Sequence, residues 1–201
     1  MRGSEGTVKF SLPLLLVVPR ISSLRVQGGN LLEREVRKTL KRMVALVSRH
    51  GRRLQRYSSG RRLVVGCIPY KFKEVDEPAI EVLVVSSQKG PELMFPKGGW
   101  ELDESMPEAA SREAFEEAGV RGNLEGTLGK WTSKGDDKIH FMYALRVTEV
   151  LQQWPEMDAR ERKWVTVEEA REVCKHSWMR EAVDKLADLL SSPSGQEMNS
   201  A

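Results

Sequence analysis

The chain has 201 residues, of which 40% are hydrophobic and 30% charged, and this is enough for one buried core. It contains no run of about 18 apolar residues, so no membrane-spanning helix is predicted. Residues 1–62 carry 15 Lys and Arg against 3 Asp and Glu, whereas residues 63–201 carry 17 against 26. Because the basic part precedes an acidic body, the charge pattern argues against a nucleic-acid-binding domain, whose basic patch would lie on the folded part.

The first part of the chain, residues 1–42, is a basic leader that is either a targeting segment or disordered. Its Arg-rich and acid-poor composition is typical of an organellar transit peptide, which would place the protein in the mitochondrion or another organelle. The alternative is a leader without a targeting role. If translation starts at Met43 instead, the protein would be cytoplasmic or nuclear.

Two strands are predicted to open the folded domain, at residues 63–70 and 80–87, and we expect them to be antiparallel neighbours. A turn is predicted at 88–91. Arg61 and Arg62 directly precede the first strand. Their guanidinium groups suit bidentate binding of phosphate, although a solvated basic segment is the alternative interpretation.

A helix is predicted to begin after Ser105 and to end at Gly119, because Ser105 and Glu108 have the spacing of a capping box. Within it Glu113, Glu116 and Glu117 are spaced i, i+3 and i+4, so they share one face and repel one another. A divalent ion such as Mg²⁺ or Mn²⁺ would reverse that repulsion. The alternative is a solvated acidic face.

The remainder of the chain predicts three strands and two helices. The strands are expected at residues 124–131, 139–148 and 160–165, with a hairpin turn at 133–137, and the helices at 166–174 and 178–190. This order predicts an α/β or α+β fold in which a mixed sheet lies between helical layers. The domain is expected to span residues 43–190, followed by a disordered tail at 191–201.

The stretch from Gly98 to Val120 resembles the Nudix box, G-x5-E-x7-R-E-U-x-E-E-x-G-U, where U is aliphatic. The chain departs from it only in the small Ala114 at the first aliphatic position. The resemblance implies an α/β/α sandwich and an enzyme that hydrolyses a diphosphate linkage with Mg²⁺ or Mn²⁺. Such an ion supplies the charge neutralisation and the oriented water that phosphoanhydride cleavage requires.

Residue roles follow from the same resemblance. Glu113, Glu116 and Glu117 match the metal ligands and catalytic carboxylates of the family, and which of them accepts the proton is left open. The loop around Gly98 would lend a backbone carbonyl to the metal. The other matched positions are structural: Glu104 and Arg112 would pair to hold the loop against the helix, and Gly119 is the glycine at the end of the motif.

A narrower resemblance concerns the substrate. The segments around Arg61, Ser86, residues 95–101, Trp154 and residues 160–164 are similar to diphosphoinositol polyphosphate and diadenosine polyphosphate phosphohydrolases, particularly plant ones. Trp100 stands where animal members have a third glycine, which leaves substrate preference open. The resemblance implies a small, highly anionic substrate held by a basic rim; the candidate substrate-binding residues are Arg61, Arg62, Ser86, Ser87, Lys97, Arg160 and Arg162.

Other functions remain compatible with the sequence. The domain could hydrolyse a different diphosphate, such as ADP-ribose, NADH or an RNA cap, or could be a catalytically silent binding module. Intact carboxylates argue against the silent module, because a binding module does not require three repelling charges. No nucleic-acid partner is expected, and the oligomeric state is left open.

Overall fold

The structure is a computed structural model that describes residues 48–49, 51–73, 79–132 and 137–191. The predicted leader, most of the predicted hairpin turn and residues 192–201 lie outside these ranges. Ser191, which the sequence placed in the tail, is instead the last residue of a helix.

One mixed sheet contains all eight strands of these described ranges. They are β1 Tyr57–Ser58, β2 Arg61–Phe72, β3 Ile80–Ser87, β4 Gly90–Met94, β5 Lys97–Gly99, β6 Val120–Trp131, β7 Lys138–Val150 and β8 Arg162–Thr166. Strands β2 and β7 are parallel, and every other pair is antiparallel. The predicted antiparallel pairing of β2 with β3 is confirmed, with Tyr70 opposite Val82.

The described helices are α1 Met106–Glu113, α2 Val167–Val173 and α3 Ser177–Ser191, and a π-helical segment, Ala114–Ala118, directly continues α1. Both predicted capping boxes are present, at Ser105 and at Thr166. The sequence predicted a regular helix as far as Gly119, whereas the structure has a π-helical turn in the last part of that range. The carbonyls at the end of this turn, those of Ala118 and Gly119, accept hydrogen bonds from the distant Arg162.

The helices cover both faces of the sheet, which confirms the predicted layered architecture. On one face Val65 and Cys67 of β2 pack with the alanines of α1 and the π-helical segment. On the other face Ile68 and Tyr70 of the same strand pack with α2 and α3. A strand that is buried on both faces reads as a continuous apolar run, which is the pattern that identified β2 in the sequence.

Three short strands, β1, β4 and β5, were not predicted. β4 begins at Gly90, inside the predicted turn, and β5 lies in the glycine loop. These segments are too short to show an alternation of apolar and polar residues. They are strands because neighbouring strands supply their backbone hydrogen bonds, which the local sequence does not reveal. As for membrane association, none of the described helices combines the length and apolar character required to span a bilayer.

Candidate active site

The glycine loop passes very close to the helix that follows it. In β5, Gly98 lies opposite Val65 of β2, which fixes the loop to the centre of the sheet. A Cβ atom at Gly98 would overlap with the carboxylate of Glu113. Glycine therefore permits this approach without displacing the Glu113 carboxylate, and it brings the loop backbone beside the carboxylates.

The helix that carries the carboxylates is positioned by its own first turn and by small residues. The backbone N–H of Ser105 donates to Glu108 Oε2 at 2.8 Å, and the N–H of Glu108 donates to Ser105 Oγ at 3.4 Å. Ala109 and Ala110 are fully buried against the sheet. The absence of larger side chains on this face lets the helix lie close to β2.

Three glutamates that share the site are almost completely buried. Glu113, Glu116 and Glu117 are 6%, 5% and 6% exposed. Desolvation raises the pKa of each carboxyl group, and together with the charge of Glu117 it raises the pKa of Glu113 to about 8. Ionisation of these carboxyl groups is therefore unfavourable, and a bound cation would favour their charged forms.

Arg112 partly compensates this charge. It donates from Nε and Nη2 to the two oxygens of Glu104 at 2.9 and 2.8 Å, which is the pair that the sequence predicted. Its Nη1 donates to Glu113 Oε1 at 2.6 Å and to Glu116 Oε2 at 3.2 Å, and Nη2 also reaches the carbonyl of Gly99 at 3.1 Å. One guanidinium thus links the loop, the helix and the π-helical segment.

Glu117 is bound from the opposite side of the site. Its carboxylate accepts hydrogen bonds from the backbone N–H of Lys97 at 3.0 Å and from Arg160 Nη2. Arg160 is in turn held by Glu156 Oε2 at 2.6 Å and by the carbonyl of Ser86 at 2.8 Å. Desolvation lowers the pKa of the Lys97 ammonium, although the nearby Glu117 partly offsets it.

Arg49, which no motif singled out, also contacts the site. Its backbone N–H donates to Glu116 Oε1 at 3.3 Å, and its Nη1 donates to Glu101 Oε2 at 2.6 Å and to Asp103 Oδ1 at 2.9 Å. The basic composition of this region was the only signal in the sequence. It could not identify one residue, because the contact with Glu116 spans 67 positions.

A cavity of about 670 Å³ opens over the glutamates. Of the candidate residues, those that line it are Arg62, Ser87, Lys97, Gly98, Arg112, Arg160 and the three glutamates. Six further Arg, Lys and His side chains that are not among the predicted site residues also line it: Arg49, Arg52, Lys89, Lys138, His140 and His176. The cavity is therefore acidic on the helix side and basic around much of its remaining wall.

Three predicted substrate-binding residues do not line this cavity. Arg61 is exposed at the start of β2. Ser86 Oγ accepts a hydrogen bond from the backbone N–H of Glu161 at 2.9 Å. Arg162 donates to backbone carbonyl groups at the end of the π-helical segment.

The donor atoms suit a hard divalent ion. Carboxylate oxygens are the ligands that Mg²⁺ and Mn²⁺ prefer, and such an ion would relieve the repulsion between Glu113 and Glu117. Over the ranges that the structure describes, no group of three or more His, Cys, Asp or Glu side chains is arranged so that it could hold a metal ion as it stands. Instead Arg112 and Arg160 pair with the carboxylates, so an ion would bind in partial exchange for these arginines.

Comparisons with known proteins agree with the geometry. The NUDIX domain model matches residues 60–186. The chain is 56% identical to Nudix hydrolase 17, mitochondrial, of Arabidopsis thaliana, over 78% of this chain and 91% of that protein. It is 40% identical to the bovine diphosphoinositol polyphosphate phosphohydrolase 3-beta, over 53% and 65% of the two chains. A solved Ap4A hydrolase of C. elegans shares the fold, with a TM-score of 0.51 and 22% identity, over 64% of this chain and 97% of that one.

Proposed function

This chain belongs to the Nudix hydrolases, and on that basis we propose that it cleaves a phosphoanhydride bond in diphosphoinositol polyphosphates, diadenosine polyphosphates or both. The single observation that carries the proposal is the two-sided cavity, with three buried glutamates facing Lys97 and Arg160. The glutamates suit a metal ion at the reacting phosphates. The cations suit a substrate with many further phosphates.

Glu113, Glu116 and Glu117 would hold Mg²⁺ or Mn²⁺, with the backbone near Gly98 as a further ligand. When bound, the ion would neutralise phosphate charge and orient the attacking water. Arg112 keeps Glu113 and Glu116 in place through its hydrogen bonds. One of the three glutamates would also accept the proton from the water.

The basic wall would bind the phosphates that do not react. Arg62, Lys97, Lys138 and Arg160 all line the cavity, and hydrogen bonds from such groups to phosphate are stronger than neutral ones. The name of the bovine relative supports a diphosphoinositol polyphosphate as the substrate. Arg61, Ser86 and Arg162 lie outside the cavity lining, so the proposed phosphate contacts do not include them.

A substrate panel tests the proposal. The protein is incubated with Mg²⁺ and, separately, with diphosphoinositol polyphosphates, diadenosine polyphosphates, ADP-ribose, NADH and capped RNA, and kcat/KM is measured for each. We expect the highest values for the first two classes. A preference for one of the other three would overturn the substrate assignment, whereas no turnover of any of them would favour a binding module.

A matched pair of lysine variants sharpens the panel. We expect Lys97→Gln to raise KM for the polyphosphate substrates about tenfold or more, since hydrogen bonds to charged groups contribute about 1.5–3 kcal/mol. Lys185→Gln removes the same charge from the exposed side of α3 and serves as the control. Equal KM values for the two variants would exclude Lys97 from phosphate binding.

We propose an organellar location on two grounds. The basic composition of residues 1–42 suits a transit peptide, and the Arabidopsis relative described above is named mitochondrial. A fluorescent fusion to the full chain should enter the organelle, and one that starts at Met43 should not. Identical cytoplasmic and nuclear fluorescence from both fusions would contradict the proposal.

A further inference from the structure

Two of the three active-site glutamates lie on the π-helical segment rather than on the α-helix. Helix α1 ends at Glu113, and Glu116 and Glu117 follow within Ala114–Ala118. A π-helical turn is a rare conformation that occurs frequently at functional sites. The direction in which these two carboxylates point therefore depends on whatever holds this turn.

Arg162 of β8 holds the end of the turn. Its Nη1 donates to the carbonyl oxygens of Ala118 at 2.8 Å and Gly119 at 3.1 Å, and its Nη2 donates to the carbonyl of Leu151 at 2.7 Å. The guanidinium carbon lies 4.0 Å from the ring centroid of Trp154. One side chain thus satisfies two carbonyls that a helix end leaves without partners.

Electrostatics also favour this placement. Within the described residues no carboxylate forms an ion pair with Arg162, and burial lowers the pKa of its guanidinium. The compensating interactions are the carbonyl dipoles at the helix end, which carry partial negative charge, and the face of the Trp154 ring. These contacts direct the cation towards the helix end and away from the cavity.

The atoms around Arg162 are packed closely enough to fix the position of its side chain. A Cβ atom at Gly119 would lie 2.7 Å from Arg162 Nη1 and 2.7 Å from Trp154 Cγ. The backbone N–H of Leu151 also donates to the carbonyl of Gly119 at 2.8 Å. The connection between β7 and β8 therefore wraps around the end of the π-helical segment.

We infer that Arg162, supported by Trp154, is a positioning residue that orients Glu116 and Glu117 for metal binding and does not contact the substrate. This replaces the substrate-binding role that the sequence predicted for Arg162. The inference rests on the proposed metal site. It adds that the affinity of that site depends on a side chain whose guanidinium, among the described residues, donates hydrogen bonds to backbone carbonyls only.

The test measures Mn²⁺ binding without substrate, by electron paramagnetic resonance of the free ion, together with kcat, KM and thermal unfolding. The variants are Arg162→Gln and Arg162→Lys, and Arg171→Gln, at a surface ion pair of α2, is the control. We expect both Arg162 variants to bind Mn²⁺ about tenfold more weakly or worse, as for other residues that orient metal ligands. Their kcat should fall while KM changes little.

The lysine variant keeps the charge and so separates geometry from electrostatics. An ammonium group has no planar fork, so we expect Arg162→Lys to recover little of the Mn²⁺ affinity. If Arg162→Gln does not fold, Arg162→Lys and Trp154→Phe carry the same test.

Three results would overturn the inference in different ways. A raised KM with wild-type Mn²⁺ affinity would make Arg162 a substrate contact. A lower melting temperature with unchanged affinity and kcat would make its role purely structural. If the wild-type protein itself bound no Mn²⁺, the proposed metal site would be wrong, and the inference would fail with it.

Discussion

The two ends of the helical segment 106–118 are held in different ways. At its start Ser105 and Glu108, three positions apart, satisfy each other's backbone donors. At its end the carbonyls of Ala118 and Gly119 accept hydrogen bonds from Arg162, more than 40 positions away. The first end is a local structure, whereas the second exists only when the sheet is assembled.

This difference separates folding from function. A capping box contributes to helix stability wherever it occurs, and the chain uses a second one at Thr166, where α2 begins. The distant contacts at the other end fix the turn that carries Glu116 and Glu117. We therefore expect changes at the π-helical end to affect catalysis, and changes at the capped end to affect stability alone.

The largest effect is expected for Glu117→Gln, at the π-helical end. The amide retains the shape of the side chain but not the charge that a metal ion requires. Residues that only orient a metal ligand contribute about 10–100-fold, so we expect kcat of this variant to fall by a larger factor. Circular dichroism should show an intact fold. The exposed Glu168→Gln is the control, and unchanged turnover of Glu117→Gln would refute the metal assignment.

Arg112→Gln should cause the largest loss of stability. It leaves the buried carboxylates of Glu104 and Glu113 without their cation, and breaking such a buried pair costs about 3–5 kcal/mol. Urea unfolding measures this free energy. Arg171→Gln, at an exposed ion pair, should cost about 1 kcal/mol or less. Similar losses for the two variants would show that the Arg112 network contributes little.

Gly119→Ala and Gly60→Ala form a matched pair that isolates close packing from backbone strain. Both glycines have positive φ, +62° and +75°, so an alanine at either should cost about 1–2 kcal/mol. Only at Gly119 would the new methyl group also meet Arg162 and Trp154, which should add about 1–3 kcal/mol. If the two variants lost the same free energy of unfolding, the side chains around Gly119 would be able to move aside at little cost.

The smallest effect is expected at the capped end. Ser105→Ala and Thr166→Ala each remove the side-chain acceptor of a capping box and should each lower the free energy of unfolding by about 1 kcal/mol. Neither should change kcat, because the second half of the segment is held independently. A large loss of kcat in Ser105→Ala alone would remove the distinction between the two ends.

The sequence predicted those parts of the fold that depend on local signals. The long strands, both capping boxes and the helix-ending glycine were found from apolar runs and cap spacing, and the pairing of Arg112 with Glu104 followed from the family resemblance. Short strands such as β5 were missed. The pairing of β5 depends on β2, which lies far along the chain and which no local pattern reveals.

The basic residues of the site illustrate the same limit. A count of Arg and Lys predicted a cationic rim, but could not separate Lys97, which lines the cavity, from Arg162, which bonds the helix end. Arg49 was not assigned any role. The direction of a long side chain depends on which partners the fold brings within reach, and these lie far along the chain.

By itself, the sequence between Phe95 and Val120 predicted the chemistry of the site, because its glycines, arginine and glutamates lie in one loop and the helical segment that follows it. Only the tertiary structure decided that Glu116 and Glu117 would lie on a π-helical turn held by Arg162. The physical reason is that a helix end satisfies its last carbonyls with whichever donors are nearest in space. Here those donors come from β8 and the connection before it.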